Sequence, residues 1–572
     1  MPRDRLTRNA PRLLAVGLFL ALLVACTESR VEPDSKEASG TLESTRGVLL
    51  ISIDTLRADH LGAYGYERDT SPFLDSLSEH SVVFEHALAQ IPSTLPSHVS
   101  MLTGLYPKEH RVFPPNGVIP SSIETLAETF QRSGYRTAGF TDGGYMSRGF
   151  GFDRGFDEFA DDFGDGPTNR SVERIFARGL DFLRSLNPAD PYFLFLHTYA
   201  VHDPYDPPEP YRREFLSGAA PIGLWEPTGP NLSRFNCGHE TLGPEGREHF
   251  IALYDAGIRY VDDVLGDFFK QLEAAGLADE LTVIITSDHG EEFLEHRLVG
   301  HAQVFHHNLH VPLLIHHPDA TPGRVRGVAR LVDLVPTLAD LAGLELKNNV
   351  AGRSLRPSLE RGASPMTNES YAQASVGGGT AIYRVSKDDR ILQYVRQPHR
   401  GNWVTPRGLV FDAIGPRTSV ISRAFLKPRG LRIEVDGLPE REILVERLIT
   451  AEGSQPVQTI EIELPDDGRK HRVGLFPDDC APASEIGAVG DCRCLALQIA
   501  GVPEQREEIY EVVDDPLEQA DLTLSIPAEP VAPLARALEA LEEGFEDTAA
   551  AATETHELSP EVRVRLEALG YL

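Results

Sequence analysis

Cysteine is scarce in this chain, with 5 in 572 residues, and tryptophan is scarcer, with 2. Cys237, Cys480, Cys492 and Cys494 are scattered, and the last two stand too close together for a typical zinc pair, so a cysteine zinc centre is not expected. Any disulfide pairing among them is not legible. Basic charge is also short: 54 Lys and Arg against 86 Asp and Glu leave a formal net charge of −32. That balance repels phosphate backbones and anionic bilayers, so nucleic acid is not an expected partner. Beyond the first residues there is no long apolar run and no internal repeat, which leaves only the N-terminus fit to engage a bilayer. What is present is ordinary globular chemistry. The chain is 41% hydrophobic, with 26 Phe and 16 Tyr, enough for a sizeable core. At roughly 100–200 residues per domain, the length suits one large domain and one or two smaller ones.

Arg3, Arg5, Arg8 and Arg12 precede an apolar run at residues 13–25 that is too short for a comfortable membrane span and right for a signal-peptide core. Residues 1–25 are therefore expected to be removed. Leu23-Val24-Ala25-Cys26 resembles a bacterial lipoprotein box, which makes Cys26 the expected lipidation site. Thr27 in place of Asp favours the outer membrane, as that resemblance implies. Residues 26–46 are polar and read as a tether, so contact with the membrane is by lipid anchor only and the location is the cell envelope. The oligomeric state is not legible.

Short apolar runs alternating with helical patterns predict an α/β fold, with a large, mainly parallel or mixed sheet flanked by helices. Three runs stop at ionisable groups: 48–53 at Asp54, 193–196 at His197, and 281–285, through Thr286 and Ser287, at Asp288-His289. In open α/β sheets ligands bind outside the carboxyl ends of the strands, so these groups can converge despite their separation in sequence. Any one alone would be a turn former or helix cap. Pro92-Ser93-Thr94-Leu95-Pro96-Ser97-His98 leads into a short helix with Pro in its first turn and Gly104 at its end. Thr94 is thereby placed near a helix N-terminus, where exposed amides favour an anion. A simple capping role is the alternative.

These residues fall in stretches that resemble the sulfatase family of the alkaline phosphatase superfamily. The stretches are Ile51-Ser52-Ile53-Asp54-Thr55-Leu56-Arg57-Ala58-Asp59, Thr94 through Gly104 with Tyr106-Pro107, His202 through Pro208, Ser287-Asp288-His289-Gly290-Glu291, Gly300-His301 and Val311-Pro312-Leu313-Leu314-Ile315. Later matches are Asp333-Leu334-Val335-Pro336-Thr337-Leu338, Gly352-Arg353-Ser354-Leu355, Asp515-Pro516-Leu517-Glu518 and a Leu569-Gly570-Tyr571 ending. The resemblance implies a catalytic domain at 47–360, with Asp54, Asp288, His289 and Thr94 holding one divalent metal. It places Thr94 as nucleophile, with His202 and His301 holding the transferring oxyanion or protonating the leaving oxygen. His197 is a further candidate. A second metal using His197, His202 and His301 is left open.

The departures from the family pattern concern chemistry. Familiar sulfatases carry Cys or Ser, oxidised to formylglycine, where this chain has Thr94, and Arg where it has His98. Thr could yield only a ketone, so no formylglycine is expected, and His98 joins the catalytic candidates. Thr55 replaces a second Asp, and Asp142-Gly143-Gly144-Tyr145 replaces a Lys and a His. An imidazole ligand suits Zn²⁺ or Mn²⁺ better than Ca²⁺, which stays as the alternative ion. The expected substrate is an anionic ester linked to a glycan or lipid, with phosphoesters or phosphonates favoured over sulfates. Alternatives are a phospho-headgroup transferase acting on envelope glycans and a non-catalytic envelope-binding lipoprotein. Alternating patterns over residues 365–505 predict an antiparallel, β-rich module inserted in a C-terminal subdomain at 361–528. A carbohydrate-binding sandwich and an inert insert are equal readings of it. Residues 529–572 read as helical.

Overall fold

The computed structural model describes Leu42, residues 44–161, 171–216, 226–236, 241–278 and 280–361, and from there to residue 568 the elements named below with short flanks. The expected signal peptide, Cys26, nearly all of the tether, Cys237, Cys480, Cys492, the rim stretches 217–225 and 237–240, residues 515–518 and the ending 569–572 lie outside the described residues. Among the described residues, no helix is long and apolar enough to cross a membrane.

The main sheet has nine strands. They are Gly47–Ile53 (β1), Val82–Leu88 (β2), Arg136–Phe140 (β3), Glu158–Ala160 (β4), Tyr192–Thr198 (β5), Leu281–Thr286 (β6), His310–Val311 (β7), Leu313–His316 (β8) and Gly323–Arg330 (β9). The order runs β7-β2-β8-β6-β1-β5-β3-β4, with β9 also paired to β2. The strands β6, β1, β5, β3 and β4 are mutually parallel, whereas β8 is antiparallel to both β2 and β6. The sheet is therefore mixed and mainly parallel.

The unbroken apolar runs have a direct cause. Val48 and Leu50 of β1 face one core, and Leu49, Ile51 and Ile53 face the other. Each fully buried side chain of this kind contributes about 1.5–3 kcal/mol. Helices α1 (Thr94–Thr103) and α4 (Leu334–Ala342) pack on the first core, while α2 (Val172–Ser185) and the long α3 (Pro244–Ala274) cover the second. Helix α1 ends at Gly104, with φ +71, where a Cβ would also meet the Val350 side chain at 3.0 Å.

A smaller antiparallel sheet follows, built of Glu369–Gln373, Thr380–Val385, Ile391–Pro398 and Gln505–Glu511. The last two strands pair directly although the chain between them forms two more four-stranded antiparallel sheets. One contains Trp403–Val404, Leu497–Ala500, Arg417–Ala424 and Gln458–Glu463; the other contains Leu409–Ile414, Lys470–Pro477, Arg429–Val435 and Leu438–Val445. Short pairs join Ala481–Pro482 to Cys494–Leu495 and Glu554–Thr555 to Gly117–Val118. The alternating patterns thus mark true antiparallel strands. Helices occupy Val531–Thr548 and Pro560–Ala568, and Leu534 and Leu538 of the first pack on Tyr371, Ile382 and Tyr394.

Candidate active site

Strands β6, β1 and β5 are neighbours, and their carboxyl ends lie in register, Ser52 beside His197 and Thr286. Asp54, His197 and Asp288-His289 therefore arrive at one edge, all completely buried or within 1% of it. Helix α1 brings Thr94 to the same place as its first residue, and the Thr94 hydroxyl bonds the Asp54 carboxyl. Ser97, one turn on, donates its hydroxyl to the Asp288 carbonyl at 2.7 Å and fixes α1 to the loop after β6.

The backbone beyond β1 bends sharply. Thr55 has φ +58, a left-handed conformation that costs a β-branched residue on the order of 1–3 kcal/mol. Its amide donates to Asp288 Oδ1 at 3.3 Å, and its carbonyl accepts from the Tyr254 hydroxyl at 2.7 Å. That hydroxyl also accepts from the Arg57 amide at 2.9 Å, so α3 pins the turn that presents Asp54. Gly290 allows a second close approach, because a Cβ there would lie 2.0 Å from the His307 carbonyl.

Asp54, Asp288 and His289 each offer one ligand atom within 4.8 Å of the others. Asp54 Oδ1, Asp288 Oδ2 and His289 Nε2 are buried without a hydrogen-bond partner, although His289 Nε2 is 3.2 Å from Asp288 Oδ2. Burial first, then the charges of Asp288 and Glu291, hold the Asp54 carboxyl well above its usual range. Burial likewise raises Asp288 and Glu291 and pushes His289 down to about 3. Clustered buried carboxyls beside a neutral imidazole favour a bound cation, and these donors fit a divalent transition ion.

His197 Nε2 lies 3.2 Å from Asp54 Oδ2 and orients that carboxylate. His98 is wholly internal: Nδ1 donates to the Thr94 carbonyl at 2.9 Å, leaving Nε2 to accept from the Ser52 hydroxyl at 2.9 Å. Both ring nitrogens of His98 are thus committed within the protein, and its place is behind Thr94. His202 and His301 come together, with their Nε2 atoms 3.2 Å apart. His202 Nδ1 faces the Asp203 carbonyl at 2.7 Å, and His301 Nδ1 faces the Pro92 carbonyl at 3.2 Å. With both Nδ1–H groups so directed, the facing Nε2 atoms turn their lone pairs toward the same point. The His301 ring lies 4.3 Å from the His289 ring, which joins this pair to the first cluster. Burial, then His289, pushes His301 down to about 3, and burial raises Asp203 to about 8.

A family model for Sulfatase matches residues 46–344 of this chain. The chain belongs to the sulfatase family. An arylsulfatase of Clostridium perfringens is 25% identical over 422 residues, covering 61% of this chain and 85% of its own length. A Delta 4,5-hexuronate-2-O-sulfatase of Bacteroides thetaiotaomicron is 24% identical over 369 residues, covering 58% and 76%. Among solved structures, a phosphonate monoester hydrolase of Agrobacterium radiobacter superposes with a TM-score of 0.57 at 17% identity, over 87% of this chain and 96% of that one. A protein solved with its substrate D-glucosamine-2-N,6-O-disulfate gives 0.59 at 15%, over 88% and 99%. Those two likenesses concern the fold, an alkaline-phosphatase-like sulfatase fold with a smaller C-terminal antiparallel sheet. The protein is a sulfatase-like hydrolase, of a family that is generally metal-dependent.

Within this sulfatase fold the residues that depart from the family pattern have definite partners. Asp142 accepts from the Thr198 hydroxyl and the Tyr199 amide, both at 3.0 Å, and from Ser171. It therefore anchors the end of β5 beside His197. Glu291, Asp203 and Ser52 were not candidates from sequence. Glu291 and Asp203 lie inside matched stretches, where a carboxyl next to a strand end or next to His202 was the available signal. Nothing in Ser52 separates it from any other strand serine.

Proposed function

We propose that this sulfatase-family hydrolase uses Thr94 as its nucleophile against phosphoester or phosphonate substrates in preference to sulfate esters, with no formylglycine. The observation that carries the reading is the Thr94 hydroxyl, at the amino end of α1, bonded to Asp54 inside the Asp54, Asp288 and His289 cluster. What a divalent ion on those three residues supplies, Zn²⁺ or Mn²⁺ by the donor set, is positive charge that acidifies the hydroxyl and offsets charge on a non-bridging oxygen. The N-terminus of α1 adds amides aimed at the same anion. Thr94 Oγ forms a bond to phosphorus, and its proton passes first to Asp54. The bond to the leaving oxygen breaks in line, and the His202–His301 pair returns a proton to that oxygen. Water then attacks phosphorus, giving a proton to the His202–His301 pair, while the Thr94 ester bond breaks and Asp54 returns its proton to Thr94 Oγ, which restores all three groups. His98 positions Thr94 by holding its carbonyl, and His197 positions Asp54.

The substrate class is an anionic ester carried on a glycan or lipid, in keeping with relatives whose names include a hexuronate-2-O-sulfatase. Anchoring by lipid at Cys26 on the outer membrane completes the reading. Metal-loaded wild type and Thr94→Ala are to be assayed on aryl phosphate, phosphodiester, phosphonate and sulfate esters. The expected result is faster turnover of phosphorus than sulfur esters and a loss of at least about 10³-fold in the variant. Faster aryl sulfate turnover would reverse the substrate assignment, and a fully active variant would remove Thr94 from the chemistry.

A further inference from the structure

A third group of histidines shares no residue with the clusters above. His86 comes from β2, whereas His306 and His310 stand four residues apart across the short helix His306–Leu309. Each offers a nitrogen within 4.8 Å of the other two. The ring centroids are 4.6 Å apart for His306 and His310, and 5.7 Å for His86 and His310. Three imidazoles on one tetrahedral ion, bonded at about 2.0–2.1 Å, would have their rings at about this separation.

The hydrogen bonding of these rings points to a ligand. His306 is 3% exposed, and its buried Nδ1 has no hydrogen-bond partner; the buried Nδ1 of His86 has none either. An unpaired buried polar atom is destabilising, and a bound cation would offset that cost. His310 donates Nε2–H to the Glu85 carbonyl at 2.8 Å, leaving the lone pair on Nδ1. A backbone carbonyl on the far nitrogen is the usual support of a metal-ligating histidine. Burial, then His310 and Arg326, holds His86 down to about 3, and burial keeps His306 and His310 below their ordinary values, so the lone pairs are not lost to protons. His86 and His310 are half-buried, which leaves a route for an ion.

We propose that His86, His306 and His310 form a second metal site, selective for a divalent transition ion of the zinc class, with a fourth position for water. An all-nitrogen donor set discriminates against Ca²⁺ and Mg²⁺. The His306 ring also rests 5.8 Å from that of Tyr383 in the strand Thr380–Val385, so the ion would brace the main sheet where it meets the C-terminal sheet. The test is Zn²⁺ content after equilibrium dialysis of folded protein. Asp54→Ala/Asp288→Ala should retain one Zn²⁺ per chain, and adding His86→Ala/His310→Ala should remove it. No retained ion in the first variant, or an unchanged ion in the second, overturns the site. Should the combined variant fail to fold, the unsubstituted chain decides. Diethyl pyrocarbonate labelling of His86 and His310, read by peptide mass spectrometry, should be suppressed by Zn²⁺ and not by Mg²⁺; labelling that Zn²⁺ leaves unchanged overturns the site.

Discussion

The methyl group on Thr94 Cβ decides which chemistry is open at position 94, because an aldehyde hydrate cannot form on a carbon that already carries a methyl. In the reaction proposed above a hydroxyl there acts as itself, which demands a leaving-group acid elsewhere, the role proposed for the His202–His301 pair. His202→Gln and His301→Gln should each lower turnover by about 10²–10⁴-fold on alkyl esters and far less on nitrophenyl esters, whose leaving group needs no proton. Equal losses on both would show a structural role instead. Arg57, 1% exposed, illustrates a different use of charge, bonded to Asp59 at 2.7 Å and Glu295 at 2.8 Å. Burial opposes the charged form of both acids, yet Arg57 outweighs it, lowering Asp59 and taking Glu295 down to about 2. A carboxyl with a depressed folded-state pKa stabilises the fold above its unfolded value, near 4.5 for Glu295, and loses that stabilisation as pH falls toward about 2. Arg57→Met should therefore cost about 3–5 kcal/mol at pH 7, measured by urea unfolding, with the difference from wild type shrinking in acid. A constant difference across that window would contradict the assignment.

Single elements carry the site because each ends where chemistry begins. Strands β1, β5 and β6 were legible as uniform apolar runs, since covering on both faces removes polar alternation, and the residue closing each run was legible as a candidate. Helix α1 was legible from Pro96 and Gly104. The supports were not, because they come from segments remote in sequence: Asp142 on the end of β5, Tyr254 of α3 under the Thr55 turn, Ser52 behind His98. Asp142 read only as part of the stretch Asp142-Gly143-Gly144-Tyr145 that replaces a Lys and a His, and only the fold shows that it holds Thr198 and Tyr199. Asp142→Ala should leave three buried donors without this acceptor, at about 1–3 kcal/mol each, and lower turnover by freeing His197. Thermal unfolding beside kcat checks this; an unchanged melting point with unchanged kcat would contradict it.

Across the whole molecule, the catalytic sheet and the β-rich insert are separable in construction, since Ile391–Pro398 and Gln505–Glu511 pair with each other on either side of the insert. Replacing residues 399–504 by a short Gly-containing turn should keep aryl ester turnover within about threefold while removing any polymer binding the module performs. Loss of turnover with the fold intact would place the module in the reaction. The antiparallel character of this region was legible from alternation; its placement between paired neighbours was not, because pairing partners so far apart leave no local pattern. In the proposed reaction, residues brought from three strands and one helix make Thr94 the group that bonds to substrate. Acid-quenched turnover of an aryl phosphate or phosphonate, followed by peptide mass spectrometry, measures this directly. The expected result is a phosphoryl or phosphonyl adduct on Thr94 that forms and decays at catalytically competent rates; an active enzyme whose Thr94 peptide never gains mass would rule out Thr94 as nucleophile.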